Sequence, residues 1–295
     1  ALAVSAAMKA AKTEQEEALE AERAAYMKIN AAANLEAFFA EVSQGKKPYS
    51  TGFKLLDKEL GGGIFEGLTI VGAVTSAGKT TLAMQAADSM ARAGHDVLIF
   101  SLETGMNELI ARSISRETLL ECFEQRLPDT DALTTRAILN GEQGTQGILE
   151  AASKAYEKYA GNLYIFQSLG KIGTKRIREE TQRHKDITGR TPIVVIDYLQ
   201  LLGQNEAKYS TGAKDIMDSA VTELKCMSVD YKTPVILISS FNRDNYKSDA
   251  NFASFKESGG IEYSADLLLG LQYEGAGKEG FNQEKLEQLA EAKPR

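Results

Sequence analysis

The chain has 295 residues, 43% of them hydrophobic and 25% charged, which is long enough for one large globular domain with a small appendage and too apolar for a disordered chain. A formal net charge of −7 excludes a uniformly basic surface, so any contact with nucleic acid is confined to a few loops or one face. Cys122 and Cys226, far apart and without metal-ligand spacing, exclude a cysteine zinc site and a disulfide framework and read as two buried thiols in a reducing cytoplasm; no apolar run approaches a bilayer span, so no membrane partner is expected.

Residues 1–44 are rich in Ala and Glu, hold no Gly or Pro, and predict helix. Within them "LEAFFAEV" sets Leu35, Phe38, Phe39 and Val42 at helical spacing on one apolar face, which suits a helix packed on its own domain or on a neighbouring chain. Gly45, Pro48 and Gly52 then break helicity, which divides the chain into a helical appendage at 1–48 and a main domain at 49–295. In the main domain the apolar runs "LTIVG", "DVLIFSLE", "NLYIF", "TPIVVIDYLQLL", "TPVILISS" and "ADLLLGLQY" alternate with helical stretches. Such continuous apolar runs separated by helices predict an α/β fold with a mostly parallel central sheet covered on both faces. Residues 105–160 read as mostly helical, interrupted by "LPDTD" and "NGEQG".

The first apolar run leads into "GAVTSAGKTTLAM" and then into a helical stretch. A phosphate-binding loop needs inward-pointing backbone N–H groups, a Gly where a side chain would collide, a Lys for the outer phosphates and a hydroxyl for Mg²⁺. Gly78, Lys79 and Thr80 supply the G-K-T core, with Ala73 at the position where the strict pattern has its first Gly. Ala73, Ser76, Gly78, Lys79, Thr80 and Thr81 are therefore the candidate contacts to ATP or another nucleoside triphosphate. Asp197 ends "PIVVID" at the sheet edge where α/β folds bind ligands, and reads as a Mg²⁺ ligand through water or as a helix-capping carboxylate. Glu103 ends "VLIFSLE" at the same edge, where it can activate a water or merely open the next helix. His95 and His184 have no partner at ligand spacing and receive no role.

Taken in order, "STGFKLLDKELGGGIFEG", "GAVTSAGKTTLAM", "FSLE", "VVIDYLQLL", "SSFNR" and "KESGGIEYSADLL" resemble the DnaB-type replicative helicases over roughly residues 49–273. "DYLQLL" is the most diagnostic, since Tyr-Leu-Gln after the Asp is much rarer than the Asp itself. The resemblance implies a RecA-like motor domain behind a helical linker, and a homo-oligomer, a hexameric ring, that encircles single-stranded DNA and unwinds duplex while hydrolysing ATP in the cytoplasm. It also implies that Lys79 and Thr80 hold phosphate and Mg²⁺, that Asp197 holds Mg²⁺ through water and that Glu103 activates the attacking water. The appendage would dock on the next subunit and lead back to an upstream primase or other replication domain.

Two departures from that family stand out. Ser240 occupies the place in "SSFNR" where the family usually carries a Gln that senses the terminal phosphate. The family's arginine finger belongs to a segment expected to begin where "EAKPR" ends, so weak ATPase activity is expected of this stretch alone. By analogy with the family, the polar stretches 203–214 and 243–256 are loops that face DNA, with Lys208, Lys214, Arg243, Lys247 and Lys256 as candidate contacts to phosphates. The more basic "KIGTKRIREETQRHKDITGR" reads as a solvated helix face. The competing functions are a recombinase or regulatory-ring ATPase without unwinding, and a nucleotide-holding assembly subunit without turnover.

Overall fold

The computed structural model describes residues 2–75, 77–145, 147–167, 172–206, 213–241, 252–255 and 259–273. The chain divides into two units, Ala1–Lys47 and Pro48–Arg295. The first holds α1 (Leu2–Met27) and α2 (Leu35–Gln44). The single helix expected over 1–44 is interrupted, because asparagine side chains compete for backbone partners at the break. The Asn34 amide donates to the carbonyls of Lys28 and Asn30 at 2.7 and 2.9 Å, and the Ala32 N–H donates to Asn30 Oδ1 at 2.9 Å. On α2, Leu35, Phe38, Phe39 and Val42 are 50–62% exposed, so its apolar face is open.

The second unit runs α3 (Lys54–Glu59), β1 (Gly67–Ala73), α4 (Lys79–Arg92), β2 (Val97–Ser101), α5 (Met106–Gln125), α6 (Thr135–Leu139), α7 (Ile148–Ala160), β3 (Leu163–Gln167), α8 (Thr174–Thr188), β4 (Ile193–Asp197), α9 (Leu199–Glu206), α10 (Ala213–Tyr231), β5 (Pro234–Ser240), α11 (Gly259–Ser264) and β6 (Leu267–Leu271). The six strands form one sheet in the order β3-β2-β4-β5-β1-β6, and every pairing is parallel. Side chains alternate between faces along a strand, and here both faces are covered. Val194 and Ile196 of β4 join Leu98, Phe100, Val235 and Leu237 in a core beneath α8, α9 and α10. Ile193 and Val195 join Val97, Ile99, Ile236 and Ile238 beneath α4. A smaller core of Cys122, Leu133 and Ile148 lies between α5, α6 and α7.

Three local expectations are corrected. The run "TPIVVIDYLQLL" is strand only to Asp197; Leu199 and Leu202 are fully buried on α9, which turns the chain under the sheet. The polar stretch expected as a loop at 203–214 is helical at 203–206 and 213–214, while 207–212 lies outside the described residues. Cys122 is buried as expected, but Cys226 is exposed, because α10 turns Leu224, Met227 and Ser228 inward instead.

Candidate nucleotide-binding site

β1 carries the chain straight to the carboxyl edge of the sheet, and α4 begins at Lys79 after Gly78, whose φ of +91° lies in the left-handed region that favours glycine. Among the described residues beyond its chain neighbours, no atom lies within 4 Å of where a Cβ on Gly78 would stand. The Lys79 ammonium donates to the carbonyls of Ala73 and Val74 at 3.1 and 3.0 Å. Burial lowers its pKa, and the carboxylates of Asp197 and Glu103 oppose that shift. Thr80 Oγ1 donates to Asp197 Oδ2 at 2.7 Å, which joins the first turn of α4 to the end of β4.

Asp197 is 5% exposed, and burial raises its pKa against the opposing bond from Thr80. Its backbone carbonyl accepts from Leu102 N–H at 2.7 Å, so the chain beyond β2 is tied to β4 at this edge. A tight turn follows: Ser101 Oγ donates to the Thr104 carbonyl at 2.7 Å and accepts from Thr104 N–H at 3.2 Å. That turn leaves Glu103 exposed at the mouth of the site. Gln167 Oε1 accepts from Met106 N–H at 3.0 Å, which fixes the start of α5, and Arg112 on that helix pairs with Glu108 at 2.6 Å.

These elements enclose a cleft of ≈ 450 Å³ lined by Gly78, Lys79, Thr80, Thr81, Glu103, Asp197 and Ser240, together with Thr75, Thr104, Arg112 and Tyr198. A cleft of ≈ 510 Å³ around Thr130–Thr134 and Asn140–Thr145 shares none of these residues. Seven of the residues picked from sequence thus meet in one cleft. Ala73 does not line it: β1 pairs through Ala73 with Ser240 and Leu271, so its methyl is fully buried and only its carbonyl serves the site. Ser76, Lys208, Arg243, Lys247 and Lys256 lie outside the described residues, and Lys214 is the second residue of α10 with its side chain outside them.

Arg112 is the functional candidate that sequence reading passed over. Its one signal, a Glu at i−4 on a predicted helix, is common to solvated helix faces.

The donor set fits a magnesium nucleotide. Lys79 is held by neutral carbonyls that phosphate oxygens can replace with stronger, charge-assisted bonds. Thr80 and Asp197 offer hard oxygens side by side, the ligand type Mg²⁺ takes. The N–H groups at the start of the 14-residue helix α4 favour anions.

The DnaB-like helicase C-terminal domain family matches residues 49–295. The replicative DNA helicase DnaB of Pasteurella multocida (strain Pm70) is 31% identical over 229 residues, covering 75% of this chain and 45% of that protein. The replicative DNA helicase DnaC of Bacillus subtilis (strain 168) is 30% identical over 222 residues, covering 74% and 45%. This chain therefore spans about half the length of the curated relatives it matches. Among solved structures, an ATPase domain superposes with a TM-score of 0.70 at 22% identity, over 90% of this chain and 88% of that one. A DnaB-like replicative helicase, described with its interactions with primase, superposes with a TM-score of 0.66 at 24% identity, over 81% and 55%. The two superpositions establish a shared RecA-like α/β fold.

Proposed function

The chain belongs to the DnaB-like helicase C-terminal domain family, and on that premise we propose that it is the ATP-hydrolysing motor of a replicative DNA helicase. The observation that carries this reading is the 2.7 Å bond from Thr80 to Asp197, with Lys79 and Glu103 on the same cleft at the sheet edge. The backbone at the start of α4 and the Lys79 ammonium bind the phosphates of ATP. Thr80 directly, and Asp197 through water, would hold Mg²⁺, which when bound would neutralise phosphate charge. Glu103, exposed at the mouth, takes a proton from the attacking water. Arg112 and Ser240 also line the cleft, where they can serve the charge that builds as the terminal phosphoryl group leaves.

The working form is a homo-hexameric ring around single-stranded DNA, with residues 49–295 as the motor and the helices of 1–48 as its linker. Two observations support it: the family match over the second unit, and the open apolar face of α2, which suits a neighbouring subunit. A primase is the proposed partner by analogy with the DnaB-like helicase described with one. No helix among the described residues is long and apolar enough to cross a membrane, and the proposed workplace is the cytoplasm.

The test is steady-state ATP hydrolysis with and without single-stranded DNA, with Glu103→Gln as control. DNA-stimulated turnover that disappears in the Glu103 variant is the expected result. Turnover indifferent to DNA overturns the helicase reading in favour of a regulatory ring.

A further inference from the structure

Strand β5 runs past the end of its neighbour. The β4–β5 pairing ends at Ile196↔Leu237, whereas β5 continues to Ser240. On its other side β5 stays paired through Ala73↔Ser240, and Phe241 N–H donates to the Ala73 carbonyl at 2.9 Å. In a parallel strand the N–H and C=O of one residue point to the same side, and successive residues point to opposite sides. Phe241 N–H faces β1, so the N–H and C=O of Ser240 face the side where β4 has already turned away.

Gln200, in the first turn of α9, takes the place of the missing strand. Its Oε1 accepts from Ser240 N–H at 3.4 Å, and its Nε2 donates to the Ser240 carbonyl at 3.3 Å. Nε2 also lies 3.3 Å from Ser239 Oγ. The carboxamide thus pairs with Ser240 as a peptide group would, and satisfies two half-buried main-chain groups.

Ser240 is also the β5 residue that lines the nucleotide cleft, directly across from Ala73, whose carbonyl holds the Lys79 ammonium. Because Lys79 serves the outer phosphates, Ser240 stands at the terminal-phosphate end. We propose that Gln200 is a positioning residue: it replaces the absent strand beside β5 and so holds Ser240 where the site distinguishes a triphosphate from a diphosphate. The inference rests on the nucleotide site proposed above. Asp197 and Gln200 leave β4 three residues apart, so one turn serves both the metal position and the end of β5.

The test is the binding preference between a non-hydrolysable ATP analogue and ADP, each with Mg²⁺, measured calorimetrically. Gln200→Met matches the side chain in length but carries neither donor nor acceptor of comparable strength. It is expected to cut the triphosphate preference about fivefold, the worth of roughly one net hydrogen bond. Ser240→Ala is expected to cut it similarly, and the double variant no further, because the two act as a unit. Gln200→Glu, which turns a charged oxygen toward the Ser240 carbonyl, is expected to lose at least as much and provides a second variant should Gln200→Met not fold. Loss of packing alone weakens both nucleotides equally, so an unchanged preference in folded Gln200 variants overturns the assignment, as do additive losses in the double variant. Wild-type binding without any preference also overturns it and leaves the nucleotide site standing. Failure of the wild type to bind either nucleotide overturns the site itself.

Discussion

Arg112 brings a second cation to a cleft that Lys79 already enters from the loop side. Its position on α5 is set by Glu108 at 2.6 Å, and its side chain is only 29% exposed. Arg112→Ala is expected to lower ATP turnover by about 10²-fold, the usual cost of removing one preorganised donor, measured at a temperature where the variant is folded. Turnover within a factor of about two of wild type sinks that role. A different residue bears on pH behaviour. Asp88 is 2% exposed on α4; its Oδ2 receives Ser113 at 2.7 Å and the Arg116 guanidinium, while its Oδ1 has no hydrogen-bond partner among the described residues. Burial, ahead of its neighbours, raises its pKa above 3.8, so the folded chain holds this proton more tightly than the unfolded chain. Stability then falls as pH rises through that interval, a slope that Asp88→Asn removes. The melting temperature of the variant relative to wild type is expected to shift upward as pH rises above the ordinary carboxylate range, and a flat or opposite trend contradicts it. That Lys79, Thr80, Glu103 and Asp197 share one cleft was legible in the sequence, because each stands at or just past the end of a strand at the same sheet edge. Arg112 was not, because helical spacing does not say which helix face overhangs the sheet edge.

Helices and strands were legible to the degree that burial, rather than side-chain competition, decided them. The six apolar runs became six strands because both faces of a parallel sheet are covered, so no polar alternation blurred the pattern. The break between α1 and α2 escaped notice because it depends on Asn30 and Asn34 bonding to the backbone, an effect that Ala-rich propensity masks. A close approach explains Gly72 in β1. A Cβ there would meet Phe255 Cε1 at 2.2 Å and Phe241 Cε1 at 2.5 Å, and these two rings pack edge to face at 5.0 Å. Gly72→Ala must displace both rings and is expected to destabilise the chain by about 1–3 kcal/mol, measured by denaturant unfolding. An unaffected midpoint means the rings yield freely. For α2, a carboxylate on the open apolar face should prevent association if a neighbouring subunit covers that face. Phe39→Glu is expected to shift sedimentation toward monomer while leaving nucleotide binding intact, and an unchanged assembly state removes α2 from the interface.

At the scale of the whole molecule, 34 basic against 41 acidic residues leave no uniform attraction to DNA, so an oligomer must gather local contacts from several subunits to grip a strand. The same logic applies to the cleft. Glu103 is exposed at its mouth, and a ring would set a second subunit against that open side. If hydrolysis in each site depends on its neighbours, a subunit that binds ATP without hydrolysing it disables more than itself. Glu103→Gln is such a subunit, since it leaves Lys79, Thr80 and Asp197 in place. Co-assembled in equal amounts with wild type, it is expected to reduce DNA-stimulated turnover far below one half, toward ~2% if all six sites of a closed ring must fire in sequence. Independent sites would leave roughly one half, since each wild-type subunit would then work regardless of its neighbours. The dependence of turnover on the fraction of variant, measured where sedimentation shows mixed assemblies, therefore separates a coupled ring from a collection of separate ATPases. A linear decline removes the ring from the proposed mechanism even if every residue of the cleft behaves as assigned.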